Sequence, residues 1–116
     1  MTPQLEIEET AGGPRHRVFR LRGTLDTSGA TRLTERCRVV MEAGLHLALN
    51  LSEVTFVSSG GIGGLVALSE DFRERHLDLR LSAPSREVLA PLELLCFDRF
   101  MGIHGSDEEA CSEWAA

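Results

Sequence analysis

The residues most able to carry chemistry are two adjacent serines, Ser58 and Ser59, which follow an apolar run and precede Gly60 and Gly61. The apolar run has the length of a strand, and the apolar spacing after the glycines is helical, so the segment predicts a strand that turns directly into a helix. We expect both hydroxyls to be exposed where that helix begins. Because the glycines leave the backbone uncovered, another protein can approach it closely. The segment predicts a modification or docking site.

Other chemistries that use glycine-rich corners are excluded by residue type and spacing. A phosphate-binding loop needs a lysine before Ser or Thr, and the chain contains no lysine. The dinucleotide fingerprint GxGxxG fails because counting from Gly61 places Val66 at its last glycine. A serine-hydrolase elbow needs GxSxG, whereas both serines precede the glycines. We therefore predict that the chain is not an enzyme.

Structural roles are the alternative for the same residues. Either serine could cap the helix by accepting a hydrogen bond from a backbone N–H, which stabilises a helix by about 1 kcal/mol. Gly60, Gly61, Gly63 and Gly64 each cost a helix about 0.5–1 kcal/mol relative to alanine. Close approach of a partner backbone and tight packing of the helix on the sheet both account for that cost, and the sequence does not decide between them.

The whole chain has the size and composition of one soluble domain, residues 1–116, with 42% hydrophobic and 26% charged residues. No apolar run is long enough to cross a bilayer, and the acidic start lacks the features of a secretion signal, so we expect a cytoplasmic protein. Cys37, Cys96 and Cys111 show no CxxC spacing and are expected to be free thiols, with Cys37 and Cys96 buried on apolar faces.

Charge and histidine spacing exclude two further classes of protein. The net charge is −6 and the arginines are scattered, which disfavours a nucleic-acid binder. Four arginines alternate along one predicted strand and are expected to form its solvated face: Arg15, Arg17, Arg20 and Arg22. The four histidines never occur at metal-ligand spacing, so we expect no metal.

Apolar periodicity predicts strands alternating with helices, and hence an α/β domain with helices packed on a mixed sheet. Two hairpin strands are expected at 5–8 and 16–21. The predicted elements that follow are a helix capped by 26–28 and closed by Gly44, a buried strand at 45–51, a break at 52–53, an extended stretch at 54–57, a helix from 61 to about 76, and a strand at 78–82.

The last third of the chain predicts a helix, an edge strand and a short final helix. The helix opens at Pro84–Ser85, turns four apolar residues inward (Val88, Leu89, Leu92, Leu95), and is kinked or restarted at Pro91. An edge strand is expected at 100–103. Ser106 and Glu109 form a capping-box pattern for a helix that runs through Trp114.

Three segments together resemble the STAS domains of anti-sigma-factor antagonists. LNLSEVTFVSSGGIGGLVAL resembles the family signature, close to L-D-L-S-x-V-x-F-I-D-S-S-G-L-G-x-L. RLRGTLDTSGATRL resembles the G-x-L-D segment that enters the first long helix, and LRLSAPSREVLAPLELLCFDRFMGIHGSDEEA resembles the C-terminal half. The resemblance implies a single STAS-like domain with a mixed four- to five-stranded sheet and about four helices.

In that family a serine in the corner is phosphorylated by a partner kinase that is itself an anti-sigma factor. Aligning Phe56 and Gly61 with the signature places Ser59 on the phosphoacceptor position, with Ser58 as the alternative. The sequence departs from the signature on both sides of the acceptor. Ser58 stands where aspartate is usual, and Gly60 stands where Ser or Thr is common.

The resemblance implies a partner-switching anti-sigma-factor antagonist, expected as a monomer without a cofactor. Unphosphorylated, it binds an anti-sigma serine kinase of the GHKL type, which supplies the ATP and magnesium, and a serine phosphatase resets the system. The expected partner surface comprises Asp26, Thr27, Ser58, Ser59, Gly60, Gly61, Ile62 and Gly63. The alternative is a constitutive, unphosphorylated STAS subunit of a membrane lipid transporter or a sensory scaffold. Binding of a small ligand or nucleotide is a third interpretation.

Overall fold

The computed structural model describes residues 4–114, so the first three and last two residues of the expected 1–116 domain lie outside it. The strands are β1 (Glu6–Gly12), β2 (His16–Leu25), β3 (His46–Val57), β4 (Leu79–Ser82) and β5 (Ile103–His104). The helices are α1 (Thr27–Glu42), α2 (Ser59–Glu74), α3 (Arg86–Leu94) and α4 (Asp107–Cys111), with a 3-10 helix at Phe97–Arg99. The α/β class predicted from the sequence is confirmed.

The strands form one mixed sheet in the order β1-β2-β3-β4-β5. β1 runs antiparallel to β2, as expected of a hairpin, and the later pairs are parallel. Helices α1, α2 and α3 pack on one face, where Leu33, Leu65 and Val88 meet Leu47 and Leu49 in the main core. Because β3 lies in the centre with both faces covered near its start, residues 47–51 are all buried, whereas Leu45 and His46, which belong to the same near-continuous apolar run at 45–51, are half-buried.

Helix α4 covers part of the opposite face of the sheet. Five residues make a second apolar cluster there: Val18, Ala48, Ala110, Cys111 and Trp114. The helix begins as predicted, because the Ser106 Oγ accepts a hydrogen bond from the Glu109 N–H at 3.2 Å. It ends at Cys111, earlier than expected, and Trp114 lies in the turn that follows.

The break predicted at Ser52–Glu53 is wrong, because β3 continues through both residues to Val57. What the polar pair marks is an irregularity in pairing: Arg20 pairs with Asn50, whereas Arg22 pairs with Glu53, so β3 has one more residue than β2 in this interval. The Asn50 side chain stabilises the bulge, since its Oδ1 accepts hydrogen bonds from the Ser52 N–H at 2.9 Å and the Ser52 hydroxyl at 2.6 Å.

The predicted burial of Leu95 and Cys96 is also wrong, because both side chains are exposed. Helix α3 runs through Pro91 as one element and ends at Leu94, and Cys96 then adopts a left-handed backbone with φ +51°. After that turn Phe97, which is 1% exposed, lies in the main core, whereas Leu95 stays outside it. The edge strand consequently lies at Ile103–His104 rather than at 100–103.

Candidate functional site

The corner between β3 and α2 assigns different roles to the two serines. Ser58 precedes the first turn in an extended conformation (φ −87°, ψ 168°), and its Oγ accepts a hydrogen bond from the Gly61 N–H at 3.1 Å. Its backbone N–H donates to the Leu25 carbonyl at 3.0 Å, so Ser58 is also tied to the end of β2. Ser58 is half-buried, whereas Ser59, the first residue of α2, is exposed. Ser58 therefore caps the helix and Ser59 faces solvent.

Three of the four glycines in α2 are explained by close packing inside the domain. A β-carbon on Gly60 would overlap the Thr27 hydroxyl, and one on Gly64 would overlap the Ala30 β-carbon, so both glycines let α2 lie directly against α1. A β-carbon on Gly61 would overlap the carbonyl oxygen of Leu25 at the end of β2. These glycines permit tight packing of the helix, which was one of the two accounts that the sequence left open.

Gly63 is different, because a β-carbon built there meets no atom within 4 Å. Its backbone also lies outside the left-handed region, so neither space nor conformation requires glycine. The Gly63 residue is exposed to solvent. Gly63 is the one glycine of α2 whose lack of a side chain leaves helix backbone open to another molecule.

The N-terminus of α1 lies beside the N-terminus of α2. Asp26 caps α1, with its Oδ1 accepting from the Gly29 N–H at 2.8 Å, and the exposed Thr27 follows it. Leu25 pairs with Val57, so the two parallel strands end together and their helices start together. The structure therefore brings Asp26 and Thr27 next to the 58–63 segment, and the role of these residues in partner binding stays a prediction.

Phe56 was not identified from the sequence as part of this surface. It lies in β3 just before the corner and is 54% exposed. On one side of β3, strand β4 pairs with it only as far as Asn50, so the last residues of β3 extend beyond that neighbouring strand. The offset between neighbouring strands is set by tertiary pairing, and no local spacing in the sequence signals it.

The start of α2 itself favours an anion, whereas the neighbouring Asp26 carboxylate opposes one. The first turn of α2 contains no acidic residue, and unpaired N–H groups at a helix start favour negative charge. In the part of the chain that the structure covers, no cluster of three or more His, Cys, Asp or Glu side chains is placed to hold a metal ion. Across residues 4–114, no helix is long and apolar enough to traverse a bilayer.

Comparison with solved structures finds the same fold. The anti-sigma factor antagonist SpoIIAA in its unphosphorylated form superposes with a TM-score of 0.77 at 16% identity, covering 94% of this chain and 96% of SpoIIAA. Phosphorylated SpoIIAA, a Bacillus cell fate determinant, gives 0.71 at 15% identity, with 94% and 99% covered. A candidate anti-sigma factor antagonist from Thermotoga maritima gives 0.71 at 22% identity, with 83% and 86% covered.

These likenesses establish the fold, and the sequence itself establishes the family. The family model described as "STAS domain" matches residues 5–110, which is nearly the whole chain. The match includes both helix starts at the candidate site and extends as far as Ala110 in α4. This chain belongs to the STAS domain family.

Proposed function

We propose that this STAS domain is an anti-sigma factor antagonist that works by partner switching in the cytoplasm. Unphosphorylated, it binds an anti-sigma serine kinase of the GHKL type; the kinase phosphorylates Ser59, and the modified domain is released until a serine phosphatase resets it. One observation carries the proposal: Ser59 is exposed at the first position of α2 while Ser58 is half-buried and occupied as the cap. The fold shared with SpoIIAA in unphosphorylated and phosphorylated forms supports it.

The physical basis of the switch is that a phosphate on Ser59 affects the partner more than the domain. A dianion at a helix start is favoured by the free backbone N–H groups and by the helix dipole, so α2 tolerates it. A partner surface built around a neutral hydroxyl must instead bury a charge of roughly −1.5 to −2. A loss of about 3 kcal/mol in binding free energy lowers the affinity more than a hundredfold.

The proposed docking surface contains an apolar contact, hydroxyls and open backbone. Phe56 supplies exposed aromatic area, Gly63 supplies uncovered helix backbone, and Thr27 and Ser59 supply hydroxyl groups. Ile62 is half-buried and packs against the main core, so only part of it is available. Buried aromatic anchors surrounded by polar groups are typical of the residues that dominate binding energy in protein interfaces.

The second candidate function is a constitutive STAS subunit of a lipid transporter or a sensory scaffold. The observation that favours it is Ser58, a neutral cap at a position where the family usually carries aspartate. A kinase that reads the aspartate would not recognise this corner. The two candidates differ in whether Ser59 is ever modified.

The test is phosphorylation by a candidate GHKL kinase with ATP, followed by intact mass and peptide mapping. We expect one phosphate on the wild type and on Ser58→Ala, and none on Ser59→Ala. Ser58→Ala is the matched control, because it removes the neighbouring hydroxyl and costs about 1 kcal/mol of stability through the lost cap. A phosphate that persists in Ser59→Ala and disappears in Ser58→Ala moves the acceptor by one residue. Binding without modification of either serine supports the constitutive subunit instead.

A further inference from the structure

A second group of chemically active side chains lies at the opposite end of β3 from Ser59. His46 is the first residue of β3 and pairs in register with His16, the first residue of β2. Trp114 stacks on the His46 ring, with centroids 5.0 Å apart and planes 9° from parallel, and its centroid lies 5.8 Å from that of His16. The indole is 2% exposed. Histidines that are distant in the sequence thus hold the last aromatic residue of the chain.

The His46 ring is held in its neutral form by a hydrogen bond. Its Nδ1 accepts from the Asp78 N–H at 3.0 Å, which leaves the proton on Nε2. Protonation would put a second N–H on Nδ1, pointing at that donor, and would therefore break the bond. The charged groups facing His46 are Asp78, Arg15 and Arg80, together with His16. The one carboxylate among them is already paired, since Asp78 Oδ2 lies 3.3 Å from an Arg80 nitrogen.

The His16 ring is less tolerant of charge. The residue is 7% exposed, and its Nδ1 is buried without a hydrogen-bond partner, so an added proton there would be a buried donor with nothing to accept it. The charged group acting on it is Arg17 on its own strand, and the neighbouring His46 adds a second positive charge when it is protonated. No carboxylate among the described residues is paired with this imidazole.

A cation–π contact between imidazolium and indole does not reverse this preference. The Arg80 guanidinium already lies 4.4 Å from the Trp114 ring centroid, so a protonated His46 would place a second positive charge beside the same ring. Glu113 neutralises Arg80 at 2.7 Å, but its side chain is largely exposed to solvent and therefore screened.

We propose that His16 and His46 form a pH-sensitive latch for the C-terminal segment, residues 111–114. While both imidazoles are neutral, Trp114 stays packed against the sheet, and protonation of the imidazoles releases it. The geometry that supports this is the His46–Trp114 stack, the Nδ1 acceptor bond to Asp78 and the unpartnered Nδ1 of His16. The latch concerns the face covered by α4 and is independent of Ser59.

The direction of the pH dependence follows from the environments of the two rings. Burial lowers the pKa of His16, and Arg17 lowers it further. Burial also lowers the pKa of His46, with Asp78 opposing that effect and the nearby cations adding to it. An unfolded or released segment leaves each imidazole near its usual pKa of about 6.5, so it binds protons more readily. The seated state is therefore fully stable above pH 6.5 and loses stability as the pH falls through the lower folded values.

Release is expected to be local because α4 has a separate attachment at its start. The Asp107 Oδ1 accepts from the Ser82 hydroxyl at 2.5 Å and from the Asn50 side-chain nitrogen at 3.0 Å. The Arg80 guanidinium donates to the Ala110 carbonyl at 2.9 Å. None of these contacts involves an imidazole, so the Trp114 end opens before the Asp107 end.

Intrinsic fluorescence tests the latch directly, because Trp114 is the only tryptophan and the chain has no tyrosine. Between pH 8 and pH 5 the wild-type emission should shift to the red in one reversible step with a midpoint below the usual histidine value of about 6.5, while far-UV circular dichroism stays unchanged. The double variant His16→Gln/His46→Gln should lose the step. His76→Asn, at an exposed histidine, should keep it.

Two results overturn the latch. One is a wild-type pH titration in which the tryptophan emission shows no step. The other is a step with an unchanged midpoint in the titration of the double variant. If the double variant does not fold, amide hydrogen exchange of the wild type decides the question. Residues 111–114 should lose protection at pH 5.5 relative to pH 7.5, after correction for intrinsic exchange, while β3 keeps it. Equal protection of 111–114 at the two pH values refutes the proposal.

Discussion

Alanine substitutions at Gly61 and Gly63 place the same added methyl group on one helix, two residues apart, with opposite expected effects. At Gly61 the new β-carbon would overlap the Leu25 carbonyl oxygen and lie 2.8 Å from its carbonyl carbon. That carbonyl also accepts the Ser58 N–H at 3.0 Å, so moving it weakens the corner itself. At Gly63 the methyl group meets nothing within 4 Å.

The magnitudes follow from packing and helix propensity. Carbon atoms in contact lie about 3.5–4 Å apart, so Gly61→Ala forces α2 and the end of β2 apart by most of an ångström. Overpacking of this kind costs about 1–3 kcal/mol, and alanine returns about 0.5–1 kcal/mol of helix propensity. Because the overlapped atoms are backbone, which cannot rotate away, the upper part of the overpacking range applies, about 2–3 kcal/mol, and the net expectation for Gly61→Ala is a loss of about 1–2.5 kcal/mol. Gly63→Ala keeps only the propensity term and should gain about 0.5–1 kcal/mol.

Urea and thermal unfolding followed by far-UV circular dichroism measure both variants against the wild type. For a domain of this size, Gly63→Ala should raise Tm by roughly 2–5 °C, and Gly61→Ala should lower it by roughly 3–10 °C. The two variants carry the same chemical change. If their Tm changes have opposite signs, the difference is due to the close contact between Gly61 and Leu25. Equal Tm values for the two variants, or a stabilised Gly61→Ala, would show that α2 does not depend on contact with the end of β2.

The effect of Gly63→Ala on partner binding should be opposite in sign to its effect on stability. The proposed docking surface uses the open backbone at Gly63, so Gly63→Ala should stabilise the domain and yet weaken its complex with the kinase. Isothermal titration of the purified pair measures this directly. Unchanged affinity in a stabilised Gly63→Ala would remove Gly63 from the docking surface without touching the assignment of Ser59.

Three further outcomes are expected. Burial raises the pKa of Cys37 to about 12. At pH 8 a thiol reagent should therefore modify the exposed Cys96 quickly and Cys37 only after unfolding. Rapid loss of more than one thiol contradicts this expectation. Phe56→Ala should cost only about 1 kcal/mol in the free energy of unfolding, because the side chain is 54% exposed, but should reduce kinase affinity, and unimpaired binding excludes Phe56 from the docking surface. Asp107→Ala leaves buried donors of Ser82 and Asn50 without an acceptor and should cost about 1–3 kcal/mol in urea unfolding, whereas a neutral result means that water replaces the carboxylate.

Apolar spacing was sufficient for the elements with strong periodicity. Helix α1 and the buried half of β3 lie where their patterns predicted, and the capping residues Asp26 and Ser106 start the helices expected of them. Short-range rules work at these positions because each depends on residues within one or two turns of the chain.

Errors occurred where a long-range contact decided the local structure. Asn50 converts the polar pair at 52–53 into a bulge by bonding to it, and β2 fixes the register on either side. Phe97 rather than Leu95 is buried in the core, and the chain turns at Cys96 between the two. Neither outcome is encoded in the spacing of apolar residues.

Within the candidate site, which stays a prediction, the sequence did not distinguish the roles of the individual residues. Sequence reasoning identified Ser58 and Ser59 as a pair, and only the coordinates of Leu25 and Gly61 show which serine is tied down. The glycines were likewise recognised as a group, although the atoms opposite each one separate Gly63 from the rest.

The strand order of the sheet has a consequence for synthesis on the ribosome. Each strand from β2 onward pairs with the one made immediately before it, so every newly emerged strand finds its neighbour already complete. The sheet can therefore grow outward from the N-terminal hairpin, with one helix laid down after each addition. Trp114 leaves the ribosome after all five strands, so the far side of the sheet stays open until the segment that follows β5 has emerged.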